Sequence, residues 1–141
     1  LPEFAAKHPQ YERMGLRDLS HQVHDQYRKF DVARLTTEMY LSDMTPAMKP
    51  AKAFSMMAHR EIDRVPIDEL EGRVTAVLLT PYPPGIPLLI PGEVFNKTIV
   101  DYLKFARNFN KVCPGFEADI HGLVKEVVNG EVHYYVDCVS C

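Results

Sequence analysis

The sequence predicts an α+β fold, with N-terminal helices followed by a small, mainly antiparallel sheet and one further helix. Three observations carry that reading. Apolar residues recur at helical spacing from Leu16 to Arg60. Runs rich in β-branched residues take over after Arg60. Asn129-Gly130 separates two such runs near the C-terminus, and the tight turn favoured by that pair needs positive φ at both central positions.

Each element can be justified in order. Residues 1–15 hold Pro2, Pro9 and several charges without a clear period, so they read as an extended or loosely helical lead-in. Leu16, Leu19, Val23, Tyr27 and Phe30 form the apolar stripe of a first amphipathic helix. Asp31 is the candidate N-cap of a second, Val32 to Leu41, with Leu35 and Met39 facing inward. Pro50 suits the first turn of a third, running to Arg60, with Ala53, Phe54, Met57 and Ala58 as its apolar residues. Arg64 to Ile67 is short and extended, and Asp68 to Gly72 is a turn or a single helical turn. Val74 to Leu79 is the best strand candidate, and its nearly continuous apolar character implies cover on both faces. Asn96 is expected to cap a helix over Lys97 to Val112, stopped by Pro114-Gly115. Leu123 to Val128 and Val132 to Val139 are the strands of the Asn129-Gly130 hairpin.

Composition bounds the function. At 141 residues, 46% of them hydrophobic and 25% charged, the chain has room for one core and is not disordered. A formal charge of -3 without any Lys/Arg run offers no field for a phosphate backbone, so nucleic acid is not an expected partner. The apolar runs Val74 to Leu79 and Ile86 to Ile90 fall far short of the roughly 20 residues of a membrane-spanning helix, and no membrane partner is expected. Three cysteines leave one thiol over however they pair, which fits a cytoplasmic setting. A first residue that is Leu, with no signal peptide after it, suggests a piece of something longer.

Residues 81–93 are the most unusual stretch, because five prolines in eleven residues fix the backbone and hold Tyr82 and Glu93 in defined directions. A preorganised loop leaving a strand suits a site. A proline-stiffened connection, or a ligand for a proline-recognising domain, fits the same residues, and the composition does not choose. Glu117, Asp119 and His121 alternate, so a strand would place three possible ligands on one face, yet a solvated strand face accounts for them more simply and no metal is expected. His21 and His24 read as surface histidines. Cys113 beside Pro114 reads as a packed helix-end cysteine, not a nucleophile. The seven glycines are scattered singly, so no phosphate-binding loop is present.

Gly72 to Thr80 followed by Pro81-Tyr82-Pro83-Pro84-Gly85-Ile86-Pro87-Leu88-Leu89-Ile90-Pro91-Gly92-Glu93 resembles the C-terminal domain of the bacterial ornithine/lysine/arginine decarboxylases. Pro114-Gly115-Phe116-Glu117-Ala118-Asp119-Ile120-His121-Gly122 resembles the same domain, in the right order and with a helix between. The similarity extends more weakly over Leu16 to Glu71.

The resemblance implies a pyridoxal-phosphate enzyme in which the cofactor forms a Schiff base with a lysine of a large upstream domain. That lysine follows a Ser-x-His pattern in the family, which neither Lys7 nor Lys52 matches. The expected division is therefore residues 1–15 as a lead-in from upstream domains and 16–141 as the C-terminal domain, which binds no cofactor itself. Its implied partners are the upstream pyridoxal-phosphate domain of the same polypeptide, further copies in a homo-oligomer, and a basic amino acid substrate. The family's terminal domain helps form the approach to the active site, which makes Tyr82 and Glu93 the first candidates there and Asp119 and His121 weaker ones. A carboxylate suits a path taken by a diamino acid. The alternative is a stand-alone, non-catalytic interaction module.

Overall fold

The computed structural model describes residues 2–141. Five helices and five strands follow in the order α1 (Pro2–Lys7), α2 (Leu16–Lys29), α3 (Val32–Leu41), α4 (Pro50–Ala58), β1 (Ile62–Pro66), β2 (Thr80–Tyr82), α5 (Lys97–Val112), β3 (Asp119–His121), β4 (Leu123–Val128) and β5 (Glu131–Val139). This is the expected α+β order. β1, β5 and β4 form an antiparallel sheet with β5 in the centre, while β2 and β3 pair separately as a two-stranded ribbon.

The local signals with a strong mechanism hold. Asn96 Oδ1 accepts a 2.9 Å hydrogen bond from the Ile99 N–H, so α5 begins where its cap was expected. Asn129 and Gly130 take φ of 52° and 80°, and Val128 pairs with Glu131 across them. α5 buries Ile99, Leu103 and Ala106 against Val65, Leu79, Leu88, Leu89, Ile120 and Val136, which makes it the lid of the main core. Truncating Leu103, which is fully buried, to alanine costs about 2 to 5 kcal/mol of stability.

Other expectations are corrected. Val74 to Leu79 is not a strand: Thr75 Oγ1 donates to the Val77 carbonyl at 2.7 Å and accepts from the Val77 N–H, a local turn that outcompetes a ladder. The segment instead makes isolated bridges, Val74 to Val94, Thr75 to Cys138 and Leu79 to Leu89. Asp31 does not cap α3 with its side chain; it sits in the left-handed region at φ 48° and its carboxylate accepts from Arg34 Nε at 2.8 Å. The stripe of α2 is only partly covered, since Leu16 is 88% exposed and no residue of this helix is buried.

The lead-in is also better ordered than its composition implied. α1 and a short 3-10 turn over Pro9–Tyr11 carry Phe4 and Tyr11 onto Phe116, with ring centroids 5.5 and 5.6 Å apart. Tyr11 Oη donates to the Pro114 carbonyl at 3.0 Å. A non-local aromatic contact therefore shapes a segment that has no periodicity of its own.

Candidate functional site

The two motifs meet in the β2–β3 ribbon. Thr80 pairs with His121, Pro81 with Ile120 and Tyr82 with Asp119. Alternation along β3 buries Ile120 and leaves Asp119 and His121 exposed on the outer side. Tyr82 lies diagonally across from His121, and their ring centroids are 4.6 Å apart at an interplanar angle of 46°. His121 Nε2 stands 3.3 Å from Asp119 Oδ2. Three of the four candidate residues, Tyr82, Asp119 and His121, thus form one group.

The loop after β2 also packs against Tyr82. The peptide bonds before Pro83 and Pro84 are cis, and the Gly85 N–H donates to the Pro81 carbonyl at 2.8 Å. Gly85 has φ 82°, and a Cβ added there would meet Tyr82 Cε1 at 2.9 Å. The glycine is needed both for its backbone and for the space the ring occupies. Sequence reasoning singled out the prolines and missed this residue, although a glycine directly after a proline pair is the available signal.

Glu93, the fourth candidate, occupies the far end of the loop. Its carboxylate accepts from the Ile90 N–H at 2.9 Å, its carbonyl accepts from the Thr75 N–H at 2.9 Å, and its backbone bridges to Pro46. It closes the Ile90–Glu93 turn, while the cap of α5 is supplied by Asn96 instead. Glu117 also leaves the strand face: its carboxylate accepts from the Gly115 N–H at 2.9 Å. Partial burial works to raise the Glu117 carboxyl, but that N–H, aided by Lys125 and His8, holds it below its ordinary value. Among the described residues no group of three His, Cys, Asp or Glu side chains is placed to hold a metal ion.

Beside Tyr82 opens an apolar groove of about 440 Å³, walled by Val23 and Tyr27 of α2, Tyr40 of α3, Phe105 and Phe109 of α5, and Pro83 and Pro84 of the loop. Tyr102 of α5 also lines it, and burial pushes the Tyr102 phenol up to about 12. The chain's lysines are all exposed or half-exposed, and none lines this groove. Among the described residues that line this groove there is no lysine to bind an aldehyde cofactor. Cys113 is fully buried, and burial raises its thiol. Among the described residues no helix is long and apolar enough to cross a membrane.

Comparison with known proteins identifies the family to which these motifs belong. The family described as "Orn/Lys/Arg decarboxylase, C-terminal domain" matches residues 33–140. The lysine decarboxylase LdcA of Pseudomonas aeruginosa is 44% identical over 133 residues, covering 92% of this chain and 18% of that protein. The constitutive lysine decarboxylase of Escherichia coli is 36% identical over 126 residues, 86% of this chain and again 18% of the relative. The solved structure of lysine decarboxylase A from Pseudomonas aeruginosa superposes with a TM-score of 0.88 at 43% identity, over 96% of this chain and 18% of that one. The chain spans about a fifth of the length of these relatives, and on the match over residues 33–140 it belongs to the family of ornithine/lysine/arginine decarboxylase C-terminal domains.

Proposed function

We propose that this chain serves a pyridoxal-phosphate-dependent decarboxylase of basic amino acids as the domain that packs on the cofactor-bearing part of the same polypeptide and shapes the approach to its active site. The overall reaction converts lysine, arginine or ornithine to the corresponding amine and CO₂, a step of polyamine metabolism in the cytoplasm. The names of the two relatives favour lysine. The cofactor belongs to the upstream domain, where the family's Ser-x-His-Lys pattern, which Lys7 and Lys52 do not match, supplies its lysine. The chain alone is inactive, and the intact enzyme is a homo-oligomer.

The observation that carries this reading is Tyr82. The motif most characteristic of the family folds into a stiff loop that presents a phenol, 46% exposed, at the rim of an apolar groove. A phenol in that position can donate or accept a hydrogen bond along the path of a diamino acid. Glu93 acts from the other end, holding the Ile90–Glu93 turn and adding negative charge that favours a cationic substrate. Asp119 adds a second carboxylate beside the phenol.

Steady-state kinetics on the full-length polypeptide test the proposal. Tyr82→Phe and Glu93→Gln should each lower kcat/KM by about tenfold without a matching loss in thermal stability. This chain alone, given pyridoxal phosphate and lysine, should release no CO₂. Turnover by the chain alone would make it an enzyme in its own right, and parent-like kcat/KM in both variants would leave a structural or interaction module; either result overturns the reading.

A further inference from the structure

Tyr82 is an exposed aromatic residue at the end of a short strand, and nothing in its own rotamer preferences fixes the direction of its hydroxyl. Two neighbours do. The ring lies against Gly85, where even a methyl group would intrude, at 2.9 Å from Cε1. It also meets the imidazole of His121, with centroids 4.6 Å apart. The His121 ring has a polar neighbour, with Nε2 standing 3.3 Å from Asp119 Oδ2.

These contacts are not explained by stability. The His121 and Asp119 side chains are 61% and 70% exposed, and ion pairs so placed contribute little to folding. The ribbon is anchored from beneath by Ile120, which is 4% exposed and belongs to the main core. Removing the His121 ring leaves that anchor and the β2–β3 pairing in place. What it removes is one wall of the slot in which Tyr82 stands.

From this geometry we infer that His121 is a positioning residue that fixes the direction in which Tyr82 presents its phenol. The inference rests on the substrate-approach reading for its consequence, but the slot itself is a separate physical claim. A group held in its working direction before the ligand arrives loses less freedom on binding, so the benefit falls on substrate capture. Gly85 and His121 come from the two motifs, which explains why both are needed at one place.

Two measurements decide it. In this chain labelled with fluorotyrosine, the Tyr82 resonance is assigned by its loss in Tyr82→Phe. His121→Ala should move that resonance and His121→Phe, which keeps a ring, should restore most of the shift. In the full-length enzyme, His121→Ala should raise KM by about tenfold with kcat little changed, and should have no further effect once Tyr82 is alanine. An unmoved Tyr82 resonance in His121→Ala, or additive losses in the double variant, overturns the inference. If Tyr82→Ala leaves kcat/KM unchanged, the substrate-approach reading fails, and the fluorine shift still decides whether the slot exists.

Discussion

Gly92 and the Met48 carbonyl oxygen approach so closely that no side chain can stand between them. Gly92 has φ 97°, its carbonyl accepts from the N–H groups of Ala47 at 2.9 Å and Met48 at 3.2 Å, and its own N–H donates to the Thr75 carbonyl at 2.8 Å. One glycine thus ties the proline loop to two separate segments. Gly92→Ala places a side chain in the left-handed region, at about 1 to 3 kcal/mol for the backbone alone. It should also displace the 46–48 segment, so the thermal melt should fall well below that of an exposed-site alanine control.

Asn110 is 8% exposed and joins three elements. Its Nδ2 donates to Tyr134 Oη of β5 at 3.1 Å, and its Oδ1 accepts from the Ala118 N–H, just ahead of β3, at 3.2 Å. Asn110→Ala leaves a half-buried N–H and a buried hydroxyl without these partners, for a loss of about 1 to 3 kcal/mol. Chemical denaturation should show that loss, and Tyr134→Phe added on top should cost less than it does in the parent.

A pH effect is expected at Asp68. Arg107 donates to its carboxylate at 2.6 and 3.0 Å and holds Asp68 below its ordinary value, against a smaller opposing effect of burial and with Lys104 assisting. An acid depressed in the folded state stabilises the fold above its unfolded value, and that stability is lost as pH falls through the folded value. The Asp68 side chain is 56% exposed, so the effect is no more than about 1 kcal/mol. Asp68→Asn should melt slightly lower than the parent near neutrality, and the gap should close in acid below the ordinary aspartate range.

The three thiols should separate cleanly. Cys138 is fully buried, and burial pushes it up to about 12; Cys113 is buried and raised for the same reason; Cys141 is exposed. Titration of the native chain with an aromatic disulfide reagent should give one fast thiol, removed by Cys141→Ser, and all three in denaturant. Two fast thiols in the native chain would contradict this burial pattern.

Features with a local cause were legible in the sequence. The Asn96 cap, the Asn129-Gly130 turn and the Pro50 start of α4 each depend on a few adjacent residues. Val74 to Leu79 was misread because one hydroxyl, that of Thr75, redirects the backbone where apolar patterning alone implied a ladder. The order of residues 2–11 depends on Phe116, more than a hundred positions away, and no window along the chain reveals that. The site divides in the same way. Tyr82 stood out through its prolines, whereas its contact with His121 depends on the register of two three-residue strands, which sequence spacing does not fix.

The central position of β5 in its sheet has a kinetic consequence. Arg64 of β1 and Asp137 of β5 are joined across 73 residues, and among the described residues β5 is the one strand partner of β4. Contacts of such long range form slowly, because the intervening chain must be brought together before any pairing rewards it. During synthesis β1 leaves the ribosome with no partner for its edge, and the helices and the proline loop are complete before the strand that unites the sheet exists. The domain therefore acquires its sheet in one late event, and a chain shortened within β5 loses β1 and β4 together.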